Sequence, residues 1–187
     1  YQTKSLKINE QLGSKLHIKN TLYNIGNVHY YKGDYEKTLD YYEKSLSITE
    51  EIGDKRGMGY SLNNIGNVHY NRGEYNRAVE SLEKSLSIQK EIGLKEFELF
   101  TTTYLYLCYK NFGKEFDEKE IHTLIKEAEN IEGEINLRLY ELLEDKSYLK
   151  TAYNQIQEKV DAMDDELKEK FINYPTPKKI IEEYNKV

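Results

Sequence analysis

The chain alternates one-sided apolar stripes with polar runs at helical spacing. Leu62, Ile65, Gly66 and His69 fall at i, i+3, i+4 and i+7, and Tyr75, Ala78, Val79, Leu82, Ser85 and Leu86 resume the pattern after a break. Each stripe covers one face of a helix. Gly73 lies in the break, as Gly33 does forty residues earlier, and glycine permits the left-handed turn that ends a helix. Asp34 then predicts an N-cap for the following helix, and Glu74 a weaker one. Gly53 and Gly93 are placed to close the second helix of each pair.

The pattern is an internal repeat. Residues 22–53 and 62–93 match at 19 of 32 positions when shifted by 40, and most mismatches are mild, such as Lys32/Arg72 and Asp34/Glu74. The shift also aligns Lys4, Ser5, Leu6, Ile8, Glu10 and Gly13 with Lys44, Ser45, Leu46, Ile48, Glu50 and Gly53. Residues 1–13 are therefore expected to be the second half of an earlier repeat, and the parent protein to extend further toward its N-terminus. Gly26 and Gly66 sit inside helices, where glycine costs about 1 kcal/mol relative to alanine. Close approach of a neighbouring helix is the expected return there, and a similar packing role is expected at Thr38/Ala78 and Ser45/Ser85. A single helix hairpin cannot bury its own apolar face, so stacked neighbours must do so.

The set Ile65-Gly66, His69, Gly73-x-Tyr75, Ala78, Leu82 and Ser85-Leu86 resembles the tetratricopeptide repeat signature. Its 40-residue period is longer than the usual length of about 34. It is similar to the long-repeat arrays of Pins/LGN spindle-orientation proteins and kinesin light chains, and Asn-Ile-Gly-Asn at 24–27 and 64–67 is particularly like the former. The resemblance implies an all-α fold, an α-solenoid of stacked antiparallel helix hairpins in a right-handed superhelix. It covers residues 1–93, as a half repeat at 1–13 and full repeats at about 18–53 and 58–93.

Residues 94–187 stay helical and diverge. Phe100, Thr103, Tyr104, Leu107 and Asn111 suggest a third first-helix, with Gly113 at its turn. Asp117 is expected to cap a helix running to Asn130. Ile135, Leu139, Leu142 and Leu143 form another stripe, and Leu149, Ala152, Tyr153, Ile156, Val160 and Met163 the cleanest one. A short helix with Leu167 and Phe171 precedes Pro175, and Pro177 is expected to start the last helix. Divergent terminal units are what an array needs to stop stacking. The stretch from Lys146 to Phe171 is similar to the closing segment of bacterial-type tetratricopeptide regions, which often follow a signalling or ATPase domain. That likeness would put this chain at the C-terminal end of its parent.

Charge narrows the function. Residues 1–93 hold 13 Lys+Arg against 12 Asp+Glu, and residues 94–187 hold 14 against 21. Neither half has the basic stripe that phosphate neutralisation needs, so no nucleic-acid partner is expected. An anionic membrane surface is disfavoured for the same reason, and no apolar run is long enough for a transmembrane helix. Cys108 is the single cysteine, which suits a reducing, cytoplasmic setting.

No catalytic constellation, cofactor motif or metal site emerges. His29 and His69 lie on the inward stripe and read as packing residues. Glu118 and His122 are an i, i+4 pair and read as exposed helix positions, since two residues alone make a poor metal site. Cys108, among Leu105, Leu107 and Tyr109, reads as a buried inert thiol. The acidic run from Asp161 to Glu169 lacks the turn glycine and alternating ligands of a calcium loop.

In the resembled fold the first helices line a concave groove. That implies a candidate peptide-binding strip of Asn20, Tyr23, Asn24, Asn27 and Tyr31 in one repeat and Tyr60, Asn63, Asn64, Asn67 and Asn71 in the next. Matching asparagines contact ligand backbone in related arrays, a role that carries to Asn24, Asn27, Asn64 and Asn67. An amide can both donate to and accept from a peptide backbone, and tyrosines add contact area. The carboxylate-clamp subclass is disfavoured, because Tyr23, Asn63, Phe100 and Tyr104 stand where its basic residues would be. The expected function is a non-catalytic scaffold for a protein or peptide partner. The alternatives are a regulatory or sensor segment of a larger signalling enzyme or ATPase, and self-association.

Overall fold

The computed structural model describes residues 14–186. The expected half repeat at 1–13 lies outside the described residues. Among the described residues there are ten α-helices, one short 3₁₀ turn and no strand. The chain divides into two compact units, one ending at Cys108 and one beginning at Tyr109.

The first unit contains α1 (Lys15–Tyr31), α2 (Tyr35–Glu51), α3 (Lys55–Asn71), α4 (Tyr75–Ile92), a 3₁₀ turn (Lys95–Phe97) and most of α5 (Glu98–Asn111). Each of the first three helices packs on the next, an α-solenoid of stacked antiparallel hairpins. The turns follow a fixed ruler. Gly33, Gly53, Gly73, Gly93 and Gly113 stand 20 residues apart, all with φ between 64° and 75°. A Cβ at Gly33's repeat mate Gly73 would meet nothing within 4 Å. Glycine is needed there for the left-handed backbone, not for space.

The helical glycines answer to space instead. A Cβ on Gly26 would come within 2.6 Å of the Tyr42 ring, and one on Gly66 within 2.6 Å of Leu82 Cγ. The close approach expected from the sequence is therefore real, and one side chain of the partner helix fills each gap. Tyr42 is 2% exposed and Leu82 fully buried. Thr38 and Ala78 are fully buried as well. Ser45 and Ser85 do more than stay small: their hydroxyls donate to the carbonyls of Lys19 (2.9 Å) and Gly59 (2.7 Å), tying each second helix to the first helix of its pair. Leu39, Tyr42, Ile65 and Val68 form the central cluster, flanked by Tyr23, Tyr30 and Tyr35.

Capping follows side-chain chemistry. Asp34 accepts from the Lys37 amide (3.4 Å) and Asp54 from the Gly57 amide (2.9 Å). Glu74, one methylene longer, makes no cap bond and instead takes His69 Nδ1 at 2.6 Å and Arg72 at 2.9 Å.

The second unit contains α6 (Glu118–Glu127), α7 (Gly133–Leu143), α8 (Lys146–Asp161), α9 (Asp165–Ile172) and α10 (Pro175–Tyr184). Its core is Leu137, Leu149, Ala152, Ile156 and Ile180, with the Tyr153 and Tyr184 rings stacked 3.9 Å apart. Two boundaries differ from expectation. Helix α6 stops at Glu127 rather than Asn130, because the Ile131 carbonyl is held by Asn136 (2.8 Å) and Gln155 (2.9 Å), which draws the chain out of the helix. Helix α10 begins at Pro175, two residues before the expected Pro177. Both prolines fit in the first turn, where amides have no intrahelical acceptor. Lys110 closes α7 by donating to the carbonyls of Glu141 (2.9 Å) and Leu142 (3.0 Å) and to Glu144 (2.8 Å). Among the described residues no helix is long and apolar enough to cross a membrane.

Helical glycines with and without a crowding neighbour should respond oppositely to a methyl group. Gly66→Ala should lose about 1–3 kcal/mol through overpacking against Leu82. At Gly59 the new Cβ would sit 3.6 Å from Ile88, an ordinary contact, so Gly59→Ala should be neutral or gain up to about 1 kcal/mol from helix propensity. Urea denaturation of the two variants checks both signs.

Candidate functional site

Asn20, Asn24, Asn27 and Tyr31 on α1, and Tyr60, Asn64, Asn67 and Asn71 on α3, lie at i, i+4, i+7 and i+11, so each set shares a helix face. The two sets are not equally open. Asn20, Asn24 and Tyr31 are exposed, and Asn27, Tyr60, Asn64 and Asn71 are half-buried. Asn63 and Asn67 are buried, at 4% and 3% exposure.

The polar groups of the two helices are wired together. Asn64 Nδ2 donates to the Tyr23 hydroxyl at 2.7 Å, and Asn71 Nδ2 to the Tyr30 hydroxyl at 3.2 Å. The Tyr42 hydroxyl donates to Asn27 Oδ1 at 2.5 Å, and its ring stacks on Tyr23 with centroids 5.5 Å apart. Burial pushes the Tyr23 phenol above its usual pKa, with hydrogen bonds to Asn64 and Asn27 pulling partly back. Amides expected to meet a ligand thus also hold the tyrosines in place.

The Asn-Ile-Gly-Asn pairs do not do the same work. Position 42 is tyrosine and its repeat mate 82 is leucine, so Asn67 lacks the hydroxyl that Asn27 receives. Asn67 Oδ1 is buried with no hydrogen-bond partner among the described residues. Asn63 replaces Tyr23 in the second repeat, and its Oδ1 accepts from the Thr101 hydroxyl at 2.8 Å. Of the positions matched to a carboxylate clamp, Tyr104 is fully buried and Phe100 lies against it.

One pocket opens beside this face, with a volume of about 350 Å³. Lys19 and Tyr23 of α1, Asp54, and Arg56 and Tyr60 of α3 line it together with Phe97. Lys19 Nζ sits 2.7 Å from Asp54 Oδ2. Burial alone would raise the Asp54 carboxyl, but Lys19 and the Gly57 amide outweigh it and hold the pKa below the usual value. The Arg56 guanidinium lies over the Tyr60 ring, 5.6 Å from its centre, and bonds the Tyr60 hydroxyl at 3.0 Å. The strip expected from the sequence did not include Lys19, Asp54, Arg56 or Phe97. The signal was in the mismatches of the repeat. Gly57 aligns with Phe97 and Thr49 with Gln89, so the next interval is filled. Gln89 is fully buried there, donating to Ser85 (2.9 Å) and Thr101 (2.8 Å).

Other candidate chemistry is placed as follows. His29 Nδ1 lies 3.4 Å from Asp34 and His69 Nδ1 2.6 Å from Glu74. Glu118 and His122 are exposed. Among the described residues no group of three or more His, Cys, Asp or Glu could hold a metal ion. Cys108 is fully buried, and desolvation pushes its thiol up to about 12.

Two measurements follow. Asn27→Ala removes the acceptor of the Tyr42 hydroxyl and should cost about 1–2 kcal/mol in a chemical melt, more than Asn67→Ala, which removes an oxygen that bonds nothing. Cys108 should resist maleimide labelling in the native protein at pH 8 and react at full rate in denaturant, since the thiolate is the reactive form.

The tetratricopeptide repeat family matches residues 18–91. Among solved structures, the chain is similar to a signal transduction ATPase with numerous domains from Pyrococcus horikoshii, described as having a tetratricopeptide repeat sensor. The identity is 19% and the TM-score 0.57, over 92% of this chain and 25% of that one. The chain thus spans about a quarter of that protein's length, and the likeness is one of fold. No curated protein matches. Residues 18–91, with their paired helices, helical glycines and 20-residue turn spacing, match the tetratricopeptide repeat family.

Proposed function

We propose that the face built by α1 and α3 binds an extended segment of a partner protein, and that the chain is a scaffold with no catalytic role. Tetratricopeptide repeats generally mediate protein–protein interaction. The observation that carries the reading here is the uncovered stripe of Asn20, Asn24 and Tyr31 on α1, with Tyr31 59% exposed. Large amphipathic side chains and amides left open on one helix face suit capture of a peptide backbone and its side chains. Asn27, Asn64, Tyr23, Tyr60, Asn63, Asn67 and Asn71 belong to the same proposed site, several of them as supports for the exposed groups. A cytoplasmic setting goes with this reading.

A second reading is that the repeats form the regulatory or sensor segment of a larger signalling protein. The Pyrococcus horikoshii protein, an ATPase described as carrying a tetratricopeptide repeat sensor, is the observation that favours it. An upstream nucleotide-binding domain in the full reading frame would support this arrangement.

The test uses side chains exposed on the α1 face. Asn20, Asn24 and Tyr31 are exposed, so their triple alanine variant should keep its melting behaviour, with each change within about 0.5 kcal/mol. It should also bind peptides selected from a random library on the wild-type chain at least roughly tenfold more weakly, the equivalent of 1.4 kcal/mol. Unchanged affinity overturns the proposal.

A further inference from the structure

The pocket between α1 and α3 has a chemistry that the neighbouring amides lack. Lys19 has only 12% of its side chain exposed, yet among the described residues its ammonium bonds one group, Asp54 Oδ2 at 2.7 Å. An ammonium carries three donors, so two are not spent on Asp54, and Lys19 lines the pocket. Asp54 is already engaged on both oxygens, Oδ2 by Lys19 and Oδ1 by the Gly57 amide at 2.9 Å. Arg56 stands at the mouth, 58% exposed, bonded to Tyr60 and, at 2.7 Å, to the equally exposed Glu96. An exposed ion pair of that kind is worth at most about 1 kcal/mol, so a better-placed carboxylate can displace Glu96. The Tyr60 and Phe97 rings, 4.5 Å apart, supply an apolar wall. The lining carries two cations, Lys19 and Arg56, against one anion, Asp54.

Among the described residues this arrangement occurs once. Forty residues on, Lys19 becomes Gly59, Asp54 becomes Leu94 and Arg56 becomes Glu96, while Gly57 and Thr49 become the bulkier Phe97 and Gln89. The next interval is therefore filled and has lost both cations.

We propose that this pocket receives an acidic side chain, Asp or Glu, of the bound partner segment, with Lys19 and Arg56 as the receiving cations and Tyr60 and Phe97 packing on its aliphatic stem. The proposal rests on the groove reading above and deepens it. The amides hold backbone without regard to sequence, and one acidic residue sets the register. The whole chain carries a net charge of −6. Selection of acidic peptides would therefore run against the net charge and point to local cations.

The test is selection of a random peptide library on the full chain, followed by calorimetry with the selected peptides. The expected result is a consensus with Asp or Glu at one fixed position. Changing that residue to its amide should weaken binding by roughly 10- to 100-fold, the scale of a charge-assisted hydrogen bond. Arg56→Gln and Lys19→Met should show the same loss, and Lys19→Arg should retain most of the affinity. The peptide-side change and the exposed Arg56 keep the outcome readable should Lys19→Met unfold. A consensus without an acidic position, or one whose amide form binds equally well, overturns this inference and leaves the groove reading standing. Failure to enrich any peptide overturns both.

Discussion

The contact between the backbone of one helix and a single side chain of its hairpin partner governs the first unit. Gly26 against Tyr42 and Gly66 against Leu82 leave no room for a methyl group. This closeness lets the serine hydroxyls of the second helices reach carbonyls of the first. It also brings the Tyr42 hydroxyl to Asn27. Packing and polar wiring have one origin, since a wider helix spacing would break the serine bonds and the tyrosine–amide bond together.

The same contact explains why two nearly identical repeats present different surfaces. A tyrosine in the gap carries a hydroxyl out to Asn27, and a leucine offers none to Asn67. The amide at 27 is then braced from behind, and the amide at 67 is left buried with an unpaired oxygen. Small changes at 49 and 57 have a parallel effect one layer away, opening a pocket in the first interval where Gln89 fills the second. Asymmetry of this kind gives a repetitive scaffold a distinguishable direction along its length.

Much of this was legible in the sequence. The 40-residue shift exposed the hairpins, the turn glycines and the helical glycines, because these depend on local backbone rules that each repeat obeys separately. The ranking of Asp34 above Glu74 as a cap also held, since it depends on side-chain length. The strip of asparagines could be located but its accessibility could not. Burial of Asn63 and Asn67 depends on Thr101 and on position 82, which lie 38 and 15 residues away. The pocket was hidden for a related reason: attention to matched positions passes over Thr49, Gly57 and Lys19, whose meaning lies in being mismatched. In residues 109–187 the apolar stripes marked the helices well. Their ends were set by tertiary bonds such as those on Ile131, which periodicity does not register.

The even spacing of the left-handed glycines has a consequence for how such a chain can change length. Each helix and turn consumes 20 residues, so a deletion or duplication of 40 returns the chain to the same orientation with every stripe still facing inward. A single inserted residue within a helix would instead rotate all later side chains of that helix by about 100°, carrying its buried face toward solvent. Gene segments of 40 codons are thus the natural units of gain and loss for this region, and small insertions are tolerable only at the turns.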